Sequence, residues 1–433
     1  MKLVSNVSAL QLFHVMRFGV LLLIGMVLVK AGYSTSEIGL YELFFFLSNF
    51  ISFFWVMGLN NGLISYFPSL TEENSRTLLF NLGILLIILA VIASLSLIFF
   101  RGPIAHLAGI GEGTLPLLGW IIAYLILSAP GNFTEYYLLL INKPRQIIGY
   151  GTALFSLQLM LIILGVLMDF QVKGLVQLMV LWAALKFIYF CIIVMKQGSF
   201  HINFKMQWLF LSFSFPLILH MLLGNGMEYV DGFLVNYFFD TSAFAQFRYG
   251  ARELPLVTVL VGAVSTALIP IAVNDMNTAM RDVKRRMTHL SNILFPVSIV
   301  LMLASPFLFT FFYNENYQLS AQIFNIYLLV ISSRLLMPQV VIFAKHENRV
   351  LVFSALLELI VNVGLSLWFL KWFGILGIAW ATVIAYLVNK VILAVYSWQK
   401  YNIDLHKYLN MRQYTMWLSL LVISYFISTL YNG

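Results

Sequence analysis

The sequence predicts an all-α polytopic membrane protein of about 12–13 transmembrane helices, built as two six-helix lobes plus one extra C-terminal helix. Three observations carry this. Charged residues make up 10% of the 433-residue chain and hydrophobic ones 61%, whereas a soluble domain carries about 25% charge. Apolar runs of about 20 residues, the length that crosses a hydrocarbon core, recur from end to end. Several matches within the chain share one offset, 204 residues.

The apolar runs place thirteen spans at 10–30, 38–64, 77–100, 115–141, 147–168, 173–195, 208–238, 243–273, 287–312, 319–344, 350–370, 374–397 and 412–430. The polar stretches between them are too short to build a soluble core. The first run lacks an A-x-A cleavage site and reads as a span, not a signal peptide. Cys191 is the single cysteine and lies in an apolar run, which excludes an intramolecular disulfide and a cysteine-based metal site. The sequence holds no metal-ligand spacing, no P-loop and no G-x-S-x-G elbow. The "GIGEG" stretch from Gly109 has no Lys-Ser/Thr after it and reads as a turn.

The net charge of +8 points to topology rather than to nucleic acid. Six of the 25 Lys and Arg fall inside spans. Of the other nineteen, fifteen lie on one side of the predicted membrane, leaving only Lys30, Arg101, Lys173 and Lys371 on the other. Positive charge stays inside, so the N-terminus is expected in the cytoplasm and the C-terminus outside. The "RDVKRR" cluster after the eighth span reads as a topology anchor touching anionic headgroups.

The repeat sets the lobes. Arg145 pairs with Arg349 and Lys186 with Lys390 at an offset of 204, and Gly58 pairs with Gly262 at the same offset. This distance spans six helices, an even number, so the halves share one orientation about an axis along the membrane normal. The expected division is 1–200, 201–400 and an extra helix in 401–433.

Twelve charges fall inside spans: Arg17, Lys186, Arg248, Arg252, Arg334 and Lys390, with Glu42, Glu135, Glu228, Asp231, Glu253 and Glu358. On an insertion scale each costs about 2.5–3.5 kcal/mol at the bilayer centre. The six cations alone come to roughly 18 kcal/mol, more than the ~5–15 kcal/mol that holds a typical protein together. They must be paired, hydrated or near an interface. Glu42 and Lys390 sit where snorkelling serves. Glu135 and Glu358 are placed to pair with the Arg145 and Arg349 loops. Arg17 has no obvious local carboxylate and Arg334 is near mid-span, where snorkelling is hard; both read as cavity residues. Asn225, Glu228 and Asp231 share one face of the seventh span at i, i+3 steps, and Pro216, Gly224, Gly226 and Gly232 favour a bend there. They offer oxygen ligands for Na⁺ or a proton. Arg248 and Arg252 share a face of the eighth span. Two readings stay open for these four charges: a salt-bridge network, or the wall of a water-filled cavity. His14 and His220 are the next candidates for carrying protons.

Three stretches resemble one known group: "GLYELFFFLSNFISFFWVMGLNNGLISYFPSL", "AFAQFRYGARELPLVTVLVGAVSTALIP" and "KWFGILGIAWATVIAYLV". Over residues 5–397 the chain resembles the polysaccharide-export branch of the MATE-like multidrug/oligosaccharidyl-lipid/polysaccharide flippase superfamily, which also holds the lipid II flippase. Phe373, Gly374, Gly377 and Ala379 match a family pattern, while Trp380 stands where the family often has a second small residue.

The resemblance implies a non-enzymatic flippase of the bacterial inner membrane. It would turn undecaprenyl-diphosphate-linked oligosaccharides, repeat units of O-antigen, capsule or exopolysaccharide, outward by alternating access. A cationic cavity would hold the anion, and Arg17 and Arg252 stand at first- and eighth-span positions comparable to arginines of the lipid II flippase. Arg248 and Arg334 join them as candidates for substrate binding. The implied partners are membrane lipids and the polysaccharide polymerase and chain-length machinery, with no cofactor beyond a coupling H⁺ or Na⁺. The lipid II flippase has two further helices forming a lipid groove, and this chain has one. Donors that stay charged and fork suit a diphosphate. A MATE-like cation/drug antiporter is the alternative and calls for surplus carboxylate in the cavity. A membrane-embedded polymerase or acyltransferase is a third reading, but the longest outer loop, 101–114, offers only His106 and Glu112.

Overall fold

The computed structural model describes residues 6–109, 115–252 and 255–432. Lys2, Glu253, Glu112 and the "GIGEG" turn beyond Gly109 lie outside the described residues. Among the described residues nine continuous helices are long and apolar enough to cross a membrane. They are the first (Asn6–Lys30), third (Glu72–Phe99), fifth (Pro144–Leu167), sixth (Val172–Gln197), seventh (Phe204–Phe238), ninth (Met276–Phe312), eleventh (Asn348–Phe373), twelfth (Ile375–Tyr401) and thirteenth (Met411–Asn432) spans. The remaining four predicted spans are broken helices. The second is Thr35–Phe50 and Phe53–Tyr66, bent by 51°. The fourth is Leu118–Gly131 and Thr134–Leu140, and the eighth Thr241–Gly250 and Pro255–Asn274. The tenth comprises Gln318–Leu328, Val330–Arg334 and Gln339–Ala344.

The breaks follow from local chemistry. Pro130, Pro255 and Pro338 each remove a backbone donor at or beside an interruption. At the second-span bend the Ser52 hydroxyl donates to the Ser48 carbonyl at 3.1 Å, satisfying an oxygen that the kink disturbs. Broken backbone at membrane depth is stable only where protein or a hydrated cavity covers it.

The interrupted spans are placed alike in the two predicted halves. They are the second and fourth spans of each half. The third and ninth spans start 204 residues apart, at Glu72 and Met276, as do the fifth and eleventh, at Pro144 and Asn348. By contact the chain divides into two compact units, Met1–Tyr229 with Asn236–Ser242, and Val230–Val235 with Ala243–Gly433. Repeat and contact therefore differ over the seventh span, most of which belongs by contact to the first unit.

Glycines set the close approaches within each unit. In the first, Gly58-x-x-x-Gly62 packs the second span against the seventh: a Cβ at Gly58 would stand 2.5 Å from the Ile218 Cα, and one at Gly62 would strike the Ser214 hydroxyl. This small-residue seam lets two backbones approach as apolar contact alone would not. In the second unit, Gly374 turns the eleventh span into the twelfth with φ +56°, and a Cβ at Gly377 would lie 2.6 Å from the Phe369 backbone. The Phe-Gly-x-x-Gly pattern thus has a steric reason. The thirteenth span docks on the ninth, where Trp417 Nε1 donates to Asn292 Oδ1 at 3.0 Å. Large exposed apolar side chains such as Leu95, Phe99, Phe307 and Trp372 clothe the helices, as lipid-facing surface requires.

Candidate functional site

The first unit carries a polar cluster at the fourth-span break. Asn132 occupies the break, and its carbonyl accepts from Asn60 Nδ2 at 3.2 Å. Its side-chain oxygen accepts a hydrogen bond from Lys186 Nζ. Lys186 is 5% exposed and its ammonium lies 5.5 Å from the Trp182 ring centre. The stem needs Gly131, where a Cβ would stand 2.8 Å from Lys186 Cγ. Glu135, 2% exposed, opens the next half-helix. The charges that act on it are those of Lys186 and Arg17. It does not pair with Arg145, the partner anticipated from sequence. Among the described residues no hydrogen bond or ion pair joins Glu135 to Lys186, and Glu135 Oε2 has no hydrogen-bond partner. Arg17, near the middle of the first span, is exposed and makes no hydrogen bond or ion pair among the described residues.

The second unit repeats this arrangement with one change. Lys390 Nζ donates to Gln339 Oε1 at 3.0 Å. Lys186 and Lys390 are 204 residues apart, as are Glu135 and Gln339, and Trp182 and Tyr386. Lys390 is therefore anchored inside its unit, where the sequence suggested snorkelling. Tyr386 carries the Arg334 guanidinium 4.2 Å above its ring. Arg334, Tyr327, Ser298 and Val257 line a cavity of about 10 Å³, close to the size that one water needs.

Asp231 lies at the centre of a third cluster, at 1% exposure. Its Oδ2 accepts from Thr382 Oγ1 at 2.6 Å and from the Tyr327 hydroxyl at 3.2 Å. Asn362 Nδ2 donates to Thr382 Oγ1 at 3.0 Å. Asn362 Oδ1 and the hydroxyl of Ser366, one turn further on the eleventh span, have no hydrogen-bond partner among the described residues. Two hydroxyls thus hold a buried carboxylate among further oxygens. Asn225 and Glu228 share the face of Asp231 but not its surroundings. Both are exposed, and Asn225 Nδ2 donates to the Met221 carbonyl at 3.2 Å. No group of three or more His, Cys, Asp and Glu able to hold a metal occurs among the described residues.

Arg252 rests on aromatic surface. Its guanidinium lies 4.9 Å from the Tyr249 ring centre, and Tyr249 stacks on Tyr313 at 5.1 Å and on Tyr317 at 5.4 Å. Arg252 Nε donates to the Arg248 carbonyl at 3.2 Å. A cation–π contact of this kind is worth about 0.5–2 kcal/mol.

Of the candidates chosen from sequence, Arg17, Asn225 and Glu228 belong to the first unit, and Asp231, Arg248, Arg252 and Arg334 to the second. Sequence reasoning missed Asn132, Gln339, Tyr327, Asn362 and Thr382. The Lys186/Lys390 offset, carried on to Glu135 and Gln339, was the one signal that pointed to any of them.

The polysaccharide biosynthesis protein family matches residues 33–322, well over half of the chain. The chain belongs to this family. No curated protein matches it. Among solved structures, "Lipid II flippase MurJ, inward closed conformation" superposes with a TM-score of 0.66 at 16% identity, covering 96% of this chain and 98% of that one. A point mutant of the Vibrio cholerae MATE transporter VcmN gives 0.59 at 18% identity, covering 92% and 98%. A MOP superfamily transporter from Pyrococcus furiosus, described as having a binding pocket of reverse polarity, gives 0.60 at 14% identity, covering 92% and 96%. These likenesses establish the fold. Within it, this chain places intramembrane cations on aromatic rings and amides and leaves Arg17 exposed.

Proposed function

We propose that this protein is a flippase that turns a lipid-linked oligosaccharide across the bacterial cytoplasmic membrane by alternating access. The carrying observation is Arg17, an exposed arginine near the middle of an apolar helix with no protein acceptor among the described residues. An intramembrane charge marks a functional site, and a guanidinium fork suits phosphate oxygens. Family membership supports a role in polysaccharide biosynthesis, and the likeness to the lipid II flippase MurJ supports a lipid-linked substrate. A cation/drug antiporter would place an exposed carboxylate where Arg17 stands. The reading makes the protein a transporter and not an enzyme.

Arg17, Arg248, Arg252 and Arg334 are the proposed contacts for the anionic headgroup. Asp231 is the proposed carboxylate for a coupling H⁺ or Na⁺, with the Thr382, Asn362 and Ser366 oxygens around it and Asn225 and Glu228 along the same helix face. The N-terminus is assigned to the cytoplasm, and the polysaccharide polymerase and chain-length machinery are the protein partners that this role calls for. The deciding experiment deletes the gene and identifies what accumulates. A lipid-linked oligosaccharide retained on the cytoplasmic face supports the reading. Normal export with no accumulated lipid overturns it.

A further inference from the structure

Glu135 and Gln339 stand at equivalent positions, each beside a lysine. The second-unit lysine is hydrogen-bonded to the neutral amide of Gln339. The first-unit lysine turns to Asn132 instead, leaving a buried carboxylate with a bare oxygen. An ionised carboxylate in that condition is costly, by about 1–3 kcal/mol or more for the missing hydrogen bond alone. Its cost falls if it takes a proton, or if it draws on the two cations that it faces.

The groups around it are few. Lys186 comes from the sixth span and Arg17 from the first, with Tyr150 from the fifth and Tyr136 from its own. His14 lies one turn before Arg17 and feels its charge. The second span contributes Asn60, which bonds the Asn132 carbonyl and does not titrate. Two basic side chains and one carboxylate therefore make up this cluster.

We propose that Glu135 is a proton-linked counter-charge for an anion bound at Arg17 and Lys186, so that this site takes up a proton when a diphosphate binds. The inference rests on the flippase reading and adds to it a residue and a linkage. With Glu135 ionised, its field offsets one of the two cations, and a doubly charged diphosphate leaves the cluster with a net negative charge in a low dielectric. With Glu135 protonated, two cations meet two negative charges and the cluster is neutral. Anion binding and protonation of Glu135 thus favour one another by the same factor, as linkage demands. Binding is tighter at low pH and weakens as Glu135 ionises. Gln339, being neutral at all pH, gives the second unit no such response.

The test uses purified full-length protein in detergent and a short-chain prenyl diphosphate linked to one sugar, a diester whose two charges do not titrate near neutrality. Binding is measured by calorimetry at pH 6 and pH 8, in buffers of different ionisation enthalpy, which counts protons taken up. Wild type should take up protons and bind more weakly at pH 8. Glu135→Gln should lose that proton and bind about tenfold more tightly than wild type at pH 8, equivalent to about 1.4 kcal/mol. Glu135→Asp should keep the pH dependence. The proposal is overturned if wild type binds with no proton uptake, which needs no variant to fold. It is equally overturned if Glu135→Gln takes up as many protons as wild type, or binds more weakly. In these cases the flippase reading stands. Failure of folded wild type to bind the probe at either pH removes the anionic-lipid reading itself, and the inference with it.

Discussion

Asp231 accepts a 2.6 Å hydrogen bond from the hydroxyl of Thr382, which comes from a helix 151 residues away. This buried carboxylate, held by a hydroxyl to which Asn362 also donates, is the proposed coupling site. Asp231→Asn should keep substrate binding within about threefold while removing the response of flipping to an imposed pH or Na⁺ gradient in liposomes. Thr382→Val should weaken that response more mildly. A double variant that follows the gradient as wild type does would place coupling elsewhere, with His14 and His220 next in line.

Arg252 tests the anion contacts. Arg252→Ala should reduce export at least tenfold with the protein still present in the membrane at the normal level, and Arg252→Lys should rescue part of it because charge returns without the fork. Tyr249→Leu removes the ring beneath the guanidinium and should cost about 0.5–2 kcal/mol of its positioning, read as a smaller export defect. Full export by the Ala variant would remove Arg252 from the site.

The glycine seam gives a stability contrast. Gly58→Ala drives a methyl to within 2.5 Å of the Ile218 Cα and should destabilise the first unit by about 1–3 kcal/mol, the usual cost of overpacking. Gly364→Ala meets nothing within 4 Å and should be neutral or stabilising, since alanine is the better helix former by about 1 kcal/mol. Thermal unfolding of the two variants in detergent separates them. Equal melting temperatures would deny the seam its steric role.

Orientation follows from charge and can be read by labelling. In a Cys191→Ser background, a cysteine at Gln318 should react with an impermeant thiol reagent from outside, and one at Asn277 only after the membrane is opened. Both positions are exposed, so neither result is confused by burial. The reverse pattern would invert the topology.

Much of the fold was legible in the chain because length and apolarity decide what crosses a bilayer. Among the described residues nine of the predicted spans appear as single helices long and apolar enough to cross a membrane and a tenth as a bent pair, and the shared offset of Lys186 with Lys390 returns in the helix starts at Glu72 and Met276. The i, i+3 spacing of Asn225, Glu228 and Asp231 also placed them on one face. It did not reveal that Asp231 is covered while the other two are exposed, nor that Glu135 faces Lys186 instead of the Arg145 loop.

The sequence by itself determined the class, the apolar runs and the charges that need an explanation. Only the tertiary structure decided which partner each charge has. The physical reason lies in the solvent. Lipid tails are as apolar as leucine, so a membrane helix can be apolar all round, and no periodicity marks the face that meets a neighbour. Lys186 meets Asn132 across 54 residues, Asp231 meets Tyr327 across 96 and Thr382 across 151. Such meetings depend on how each helix is rotated and where it breaks, and both are settled by small residues such as Gly58, Gly131 and Gly377, whose effect exists only once two backbones are close.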